Sequence, residues 1–210
     1  MGSSDTGSVM ALRHFSLSKP ITCILISGNL ENFFTIRIKG PIGEYFSISK
    51  GDPIIFGKID NNTPNIYGGF VLSKAENDIT ISPDMTSFKE ERRKNARFPV
   101  SLLGYVKHTN NKESSATAWV KDISYEGIRI CTESVFQLND KIEISICIQN
   151  KVLNIEGIII RRSSLFGRNE YGILMSFRYK NSVFSVRENI DSLVAQEKWL
   201  IENHLLSLSL

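Results

Sequence analysis

Ile142, Ile144, Ile146 and Ile148 alternate without a break with Lys141, Glu143, Ser145 and Cys147. A period of two puts the four isoleucines on one face of an extended strand and the other side chains on the opposite face. A helix of 3.6 residues per turn cannot do this. A strand with one oily face and one wet face needs antiparallel neighbours to bury the oily side, which points to a small barrel or sandwich. Gln149-Asn150-Lys151 reads as a hairpin turn into the next strand. Strands are predicted at 100–107, 117–122, 127–132, 141–148, 152–162 and 171–178, enough for a barrel of about six.

The first half has the same texture in shorter pieces. Phe34, Ile36 and Ile38 alternate with Thr35, Arg37 and Lys39 before Gly40-Pro41 breaks the run. Further strands are predicted at 21–26, 45–48, 54–59, 70–73 and 79–81. They are punctuated by Gly51-Asp52-Pro53, Asn61-Asn62 and Gly68-Gly69, the last pair read as a turn or bulge. Residues 1–88 therefore form a first β-barrel or sandwich domain, with about the first 12 residues disordered because the opening is rich in Ser and Gly. Met1-Gly2-Ser3-Ser4-Asp5-Thr6 matches an N-myristoylation pattern only superficially.

After residue 178 the period changes. Val183, Val186, Ile190, Leu193, Val194, Leu200 and Ile201 recur at helical spacing, which predicts an amphipathic helix over 182–206 packed on the second barrel. In that helix Arg187 and Lys198 are outnumbered by Glu188, Asp191, Glu197 and Glu202, which argues against an anionic membrane surface. The fold class is thus mainly all-β. Two consecutive antiparallel barrels are expected, the second spanning 98–210 and ending in the helix.

Charge is where composition matters. The chain carries a net +3, and a net +3 sits in residues 89–98 alone. A broad basic face for long nucleic acid is missing, whereas a local cluster suits a small dianion. Cys23, Cys131 and Cys147 lie in apolar runs without metal-ligand spacing and read as buried free thiols, as expected of a cytoplasmic protein. His14, His108 and His204 are isolated and read as surface or cap residues. No base–nucleophile set or metal-ligand set accompanies Asp122 and Glu126, so neither an enzyme nor a cofactor is expected. No apolar stretch reaches membrane-spanning length.

Two motifs carry the functional reading. Arg93-Lys94-Asn95-Ala96-Arg97 ends a basic connector at 89–97, and Asp122-Ile123-Ser124-Tyr125-Glu126-Gly127 follows 25 residues after Arg97. Guanidinium forks pair with phosphate oxygens and with the O6/N7 edge of guanine. A carboxylate accepts from guanine's N–H groups, and glycine allows close backbone approach. With 11 arginines, RxxxR arises by chance about half a time per chain, whereas DxSxxG arises roughly 0.06 times, so the ordered pair is the informative signal.

This pair resembles the signature of the PilZ family, bacterial receptors for cyclic di-GMP, over about residues 90–206. The resemblance implies that Arg93 and Arg97 straddle the ligand, that Asp122 and Ser124 hydrogen-bond a guanine, and that Gly127 supplies closeness. Arg92 implies an intercalated ligand dimer, and Arg161 is a further candidate contact. Two barrels with the PilZ barrel second resemble the flagellar-brake type of receptor. Such a protein regulates a downstream partner in motility or in exopolysaccharide and biofilm control, through ligand-driven ordering of the connector and a changed interdomain arrangement. Two alternatives stay open: a protein-interaction adaptor that does not bind nucleotide, and a basic β-barrel that binds nucleic acid. An ordinary Asx or ST turn also accounts for Asp122 to Gly127 taken alone.

Overall fold

The computed structural model describes residues 6–40, 47–84, 95–110, 114–148, 151–177 and 180–208. Its first six strands are β1 (Val9–Arg13), β2 (Ile21–Gly28), β3 (Phe34–Ile38), β4 (Pro53–Asp60), β5 (Thr63–Ala75) and β6 (Asp78–Pro83). The second six are β7 (Phe98–His108), β8 (Ala116–Ile123), β9 (Gly127–Thr132), β10 (Lys141–Ile148), β11 (Lys151–Leu165) and β12 (Arg168–Ser176). A single helix, α1 (Lys180–Ser207), follows. Each set of six closes into an antiparallel barrel. The ring order is β1-β2-β3-β6-β5-β4 in one and β7-β8-β9-β12-β11-β10 in the other, the same wiring twice. The chain divides into two compact units, Met1–Arg92 with Glu197–Leu210, and Arg93–Gln196.

In the second unit the alternation seen in the sequence becomes burial. Ile142, Ile144 and Ile146 are fully buried with Val120, Ile128, Ile130, Ile155, Ile159 and Ile173. Side chains of this size each contribute roughly 1.5–3 kcal/mol when removed from water. Ile190 and Leu193 of α1 join the same core. Cys147, expected to be a buried thiol, is exposed. The period-two pattern explains this, because Cys147 shares the outward face with Lys141 and Glu143.

The first unit buries Met10, Leu12, Leu25, Phe34, Ile36, Ile54, Phe56, Val71, Ile79 and Ile81. Phe34 and Phe56 meet edge-on at 5.0 Å. Several expectations are corrected here. The opening segment is ordered from Val9, because Met10, Ala11 and Leu12 pair with both β2 and β4. Gly68 and Gly69 lie inside β5, opposite Ile55 and Ile54, rather than in a turn. A Cβ on Gly69 would stand 2.8 Å from the Ser82 carbonyl, so a larger residue does not fit there. Ile48 is buried in the core outside any strand, and the rest of the 45–48 prediction falls largely outside the described residues. Asn61-Asn62 does form the hairpin turn, with φ of 49° and 61°, the left-handed pair that a tight hairpin demands.

His14 is fully buried, not at the surface. Its Nε2 lies 3.3 Å from Asp52 Oδ2, and its Nδ1 accepts from the Ser16 amide and lies 2.6 Å from Ser16 Oγ. The last turns of α1 also belong to this unit. Ile201 and Leu205 bury against Ala11 and Ile55 on the outer face of the barrel, and Glu197 pairs with buried Arg13 at 3.3 Å. This second cover explains why β1 and β4 are apolar on consecutive residues instead of alternating. It also departs from the helix's expected packing on the second barrel alone.

Candidate ligand-binding site

The site is built on the bend between β8 and β9. The Ser124 amide donates to the Gly127 carbonyl at 2.8 Å. The Ser124 hydroxyl donates to the same carbonyl at 3.1 Å and accepts from the Gly127 amide at 3.2 Å. Serine is thus the clasp of the bend. Gly127 is required by proximity. A Cβ there would lie 2.9 Å from the Ile173 carbonyl and 3.2 Å from Arg97 Nη2, and Gly127's own φ is not positive.

One strand irregularity places the acid. Between Val120 and Asp122 the register with β9 slips by one residue, so Lys121 is an extra residue in β8. Val120 and Ile123 point into the core, while Lys121 and Asp122 come to the outer face together. There Arg97 Nη1 donates to Asp122 Oδ1 at 2.5 Å, and Arg129 Nε donates to Asp122 Oδ2. Both carboxylate oxygens are therefore engaged by arginines. The chain continues through Lys121, whose Nζ lies 2.6 Å from Glu170 Oε1, and Ser163, whose hydroxyl donates to Glu170 Oε2 at 2.7 Å. Burial alone would raise the Glu170 pKa. The charge and hydrogen bond of Lys121, with Ser163 and Arg129, outweigh it and hold the carboxyl below its ordinary value. Arg97, Lys121 and Arg129 are thus gathered with Asp122 and Glu170 in one charged network.

Beside Arg97 lies a cleft of about 230 Å³. Its polar edge is formed by Asn95, Arg97, Ser124, Glu126 and Gly127, and its apolar wall by Ile160, Ile173 and Leu174. Ile160 is itself an extra residue, at the register slip between Ile159 and Arg161, and the slip turns it outward. Next to the cleft, the Tyr125 hydroxyl donates to Asp191 Oδ1 of α1 at 2.5 Å, and the Arg187 guanidinium lies over the Tyr125 ring at 5.3 Å. The bond to Asp191 raises the Tyr125 pKa.

Of the residues singled out from the sequence, Arg97, Asp122, Ser124 and Gly127 come together. Arg92 and Arg93 lie outside the described residues. Arg161 is exposed, next to Ile160 but not itself on the cleft wall. Sequence reasoning missed Arg129, although its position on the polar face of Gly127-Ile128-Arg129-Ile130 is a readable signal. Ile160 was not readable, since a register slip leaves no mark in a single sequence, whereas Leu174 follows the plain alternation of β12 between buried Ile173 and Met175. Among the described residues, no group of three or more His, Cys, Asp or Glu side chains is placed to hold a metal, and no helix is long and apolar enough to cross a membrane.

The second unit is thus a six-stranded antiparallel barrel with an acid–serine–glycine bend at one corner. The PilZ domain family model matches residues 91–196, and the chain belongs to that family. Comparison with functionally curated proteins returned no match. Among solved structures, the chain is similar to Escherichia coli YcgR in complex with c-di-GMP (11% identity, 91% of this chain and 86% of that one, TM-score 0.43). It is also similar to the K. pneumonia MrkH–c-di-GMP complex (13%, 91% and 89%, TM-score 0.44) and to the Bacillus subtilis inhibitor of motility MotI/DgrA (13%, 94% and 98%, TM-score 0.40).

Proposed function

We propose that the second barrel is a receptor for cyclic di-GMP and that the protein is an effector rather than an enzyme. The observation that carries this reading is the convergence of Arg97, from the RxxxR segment, with the bend 122–127 on one cleft. Arg97 is aimed by Asp122 on one side, leaving its other N–H groups for phosphate oxygens, and Arg93 supplies a second guanidinium from the same segment. Ser124 and Gly127 hold the bend close enough for the ligand to reach backbone as well as side chains. Binding neutralises the basic connector and changes the interdomain arrangement that a protein partner reads. Such a switch requires tighter binding to one arrangement than to the other.

Isothermal titration with cyclic di-GMP tests the binding and reports whether one or two molecules occupy the site. Arg97→Ala is expected to weaken binding by at least tenfold, in line with about 1.5–3 kcal/mol for a hydrogen bond to a charged group. Small-angle scattering with and without ligand tests the rearrangement. Titration showing no heat and no protection at millimolar nucleotide overturns the proposal.

A further inference from the structure

The β1–β2 loop of the first unit holds a side-chain relay that plays no part in the proposed ligand site. His14 Nδ1 accepts from the Ser16 amide at 3.2 Å, so in the neutral ring that nitrogen is bare and the proton sits on Nε2, 3.3 Å from Asp52 Oδ2. The Ser16 hydroxyl, 2.6 Å from the bare Nδ1, donates to it, and the Ser47 hydroxyl donates to Ser16 Oγ at 2.6 Å. Acid, imidazole and hydroxyl thus form one hydrogen-bonded relay. His14 and Asp52 are buried, while Ser16 is exposed. Both ends of the relay are pinned to backbone. Arg13 Nη1 donates to the His14 and Leu17 carbonyls, and the Leu17 amide donates to the His14 carbonyl at 3.0 Å. Asp52 Oδ2 accepts from the Ser49 amide at 2.8 Å, and the Asp52 carbonyl accepts from the Val71 amide at 3.1 Å.

A hydroxyl within hydrogen-bond reach of an imidazole whose far nitrogen is held by an acid is the arrangement that makes serine a nucleophile. Either ring nitrogen can serve as the base; here Nδ1 faces the hydroxyl and Nε2 the acid. Burial lowers the His14 pKa, which keeps the ring neutral near neutral pH, as a base must be. We infer that Ser16 is an activated hydroxyl that takes an acyl group from small activated esters, with His14 as its base and Asp52 as the positioning residue that holds the ring. The exposure of Ser16 suits a small ester that needs no deep cleft. Ser16 Oγ attacks the ester carbonyl carbon while its proton passes to His14 Nδ1. The bond from that carbon to the leaving oxygen then breaks, and His14 Nδ1 returns the proton to the departing oxygen. One ester and one serine give one acyl-serine and one alcohol. The Ser47 hydroxyl, beside Ser16 Oγ, is a donor near enough to turn towards the oxyanion as it forms. This chemistry belongs to the first barrel and stands or falls separately from the receptor reading.

The test treats the full chain with p-nitrophenyl acetate and maps the acetyl group by peptide mass spectrometry over time, since lysines and the exposed Cys147 also take acetyl. The wild type is expected to be acetylated at Ser16. Ser16→Ala, at an exposed position and so expected to melt as the wild type does, should lose that acetyl. His14→Gln should slow acetylation of Ser16 by roughly 10²- to 10⁴-fold, the usual contribution of a positioned base, and Asp52→Asn should slow it as well. His14 and Asp52 are buried, so the wild type's own pH profile keeps the inference testable should either variant fail to fold. Desolvation lowers the His14 pKa below 6.5; of the charged groups facing it, Arg13 and Lys74 lower it further and Asp52 opposes them. Acetylation of Ser16 should therefore rise as His14 loses its proton below pH 6.5 and level off above it. Ser16 left unmodified in the wild type, undiminished acetylation in a folded His14→Gln, or a rate that climbs in proportion to hydroxide beyond about pH 7 each overturns the inference.

Discussion

Gly127→Ala puts the site's geometry to its sharpest trial. The new methyl would stand 2.9 Å from the Ile173 carbonyl and 3.2 Å from Arg97 Nη2. Ordinary carbon–oxygen contacts begin several tenths of an ångström further out, and the carbonyl cannot swing away as a side-chain tip can. Gly127 pairs with Leu174 in the β9–β12 ladder, and the preceding carbonyl is bonded to the Met175 amide at 2.8 Å. The strands must therefore part or twist. Overpacking of this kind costs about 1–3 kcal/mol, which for a unit of this size lowers the melting temperature by very roughly 4–20 °C. The second consequence is local, since Arg97 must retreat from its place over the bend and cyclic di-GMP affinity should fall. Gly104→Ala is the matched control, because its Cβ would sit 2.7 Å from the Ser145 carbonyl on the β7–β10 side, and no residue of the cleft comes from there. Differential scanning calorimetry and titration on both variants should show similar melting losses but a binding loss only for Gly127→Ala beyond what unfolding explains. Equal melting of Gly127→Ala and wild type, with undiminished binding, refutes the packing argument.

Asp122→Ala removes the shared partner of Arg97 and Arg129, whose side chains are largely shielded. A loss approaching the 3–5 kcal/mol of a broken buried pair is expected by chemical denaturation, together with weaker binding. Asp122→Asn should recover part of the stability but not the binding. The first unit should show an acid-side weakness centred on His14. Burial lowers its pKa below 6.5, only partly opposed by the hydrogen bond and charge of Asp52, with Arg13 and Lys74 adding to the lowering. The unfolded chain therefore takes up the proton first. Stability from this group is full above about pH 6.5 and declines as pH falls towards the lower folded value. Melting curves from pH 7.5 to 5 should fall more steeply for the wild type than for His14→Gln, and parallel curves would contradict the sign.

The second barrel was largely legible because its strands keep one face dry and one wet. The runs 127–132 and 141–148 were bounded to the residue, β7, β8 and β11 extend beyond their predicted ends, and β12 starts three residues before and ends two before the predicted 171–178. The bend 122–127 was legible because its chemistry is contiguous in the chain. What escaped was whatever depends on two-sided burial or on register. Met10-Ala11-Leu12 shows no alternation because α1 covers the outer side of β1. His14 looks isolated in sequence because Asp52 reaches it from 38 residues away. Lys121 and Ile160 become outward-facing only through slips in pairing that no local pattern records. The hairpin at Phe166-Gly167, with φ of 51° and 82°, was passed over because an aromatic rarely takes that backbone shape.

Both barrels follow one circuit, so the circuit itself does not decide which of them recognises a messenger. At the matching corner of the first barrel, between β2 and β3, Asn29 uses its side chain to accept from the amides of Glu31 and Asn32, and no acid–serine–glycine clasp is present. If the second barrel is the receptor, recognition is carried by a few side chains hung on a corner, a trait that can be gained or lost without rebuilding the scaffold beneath it.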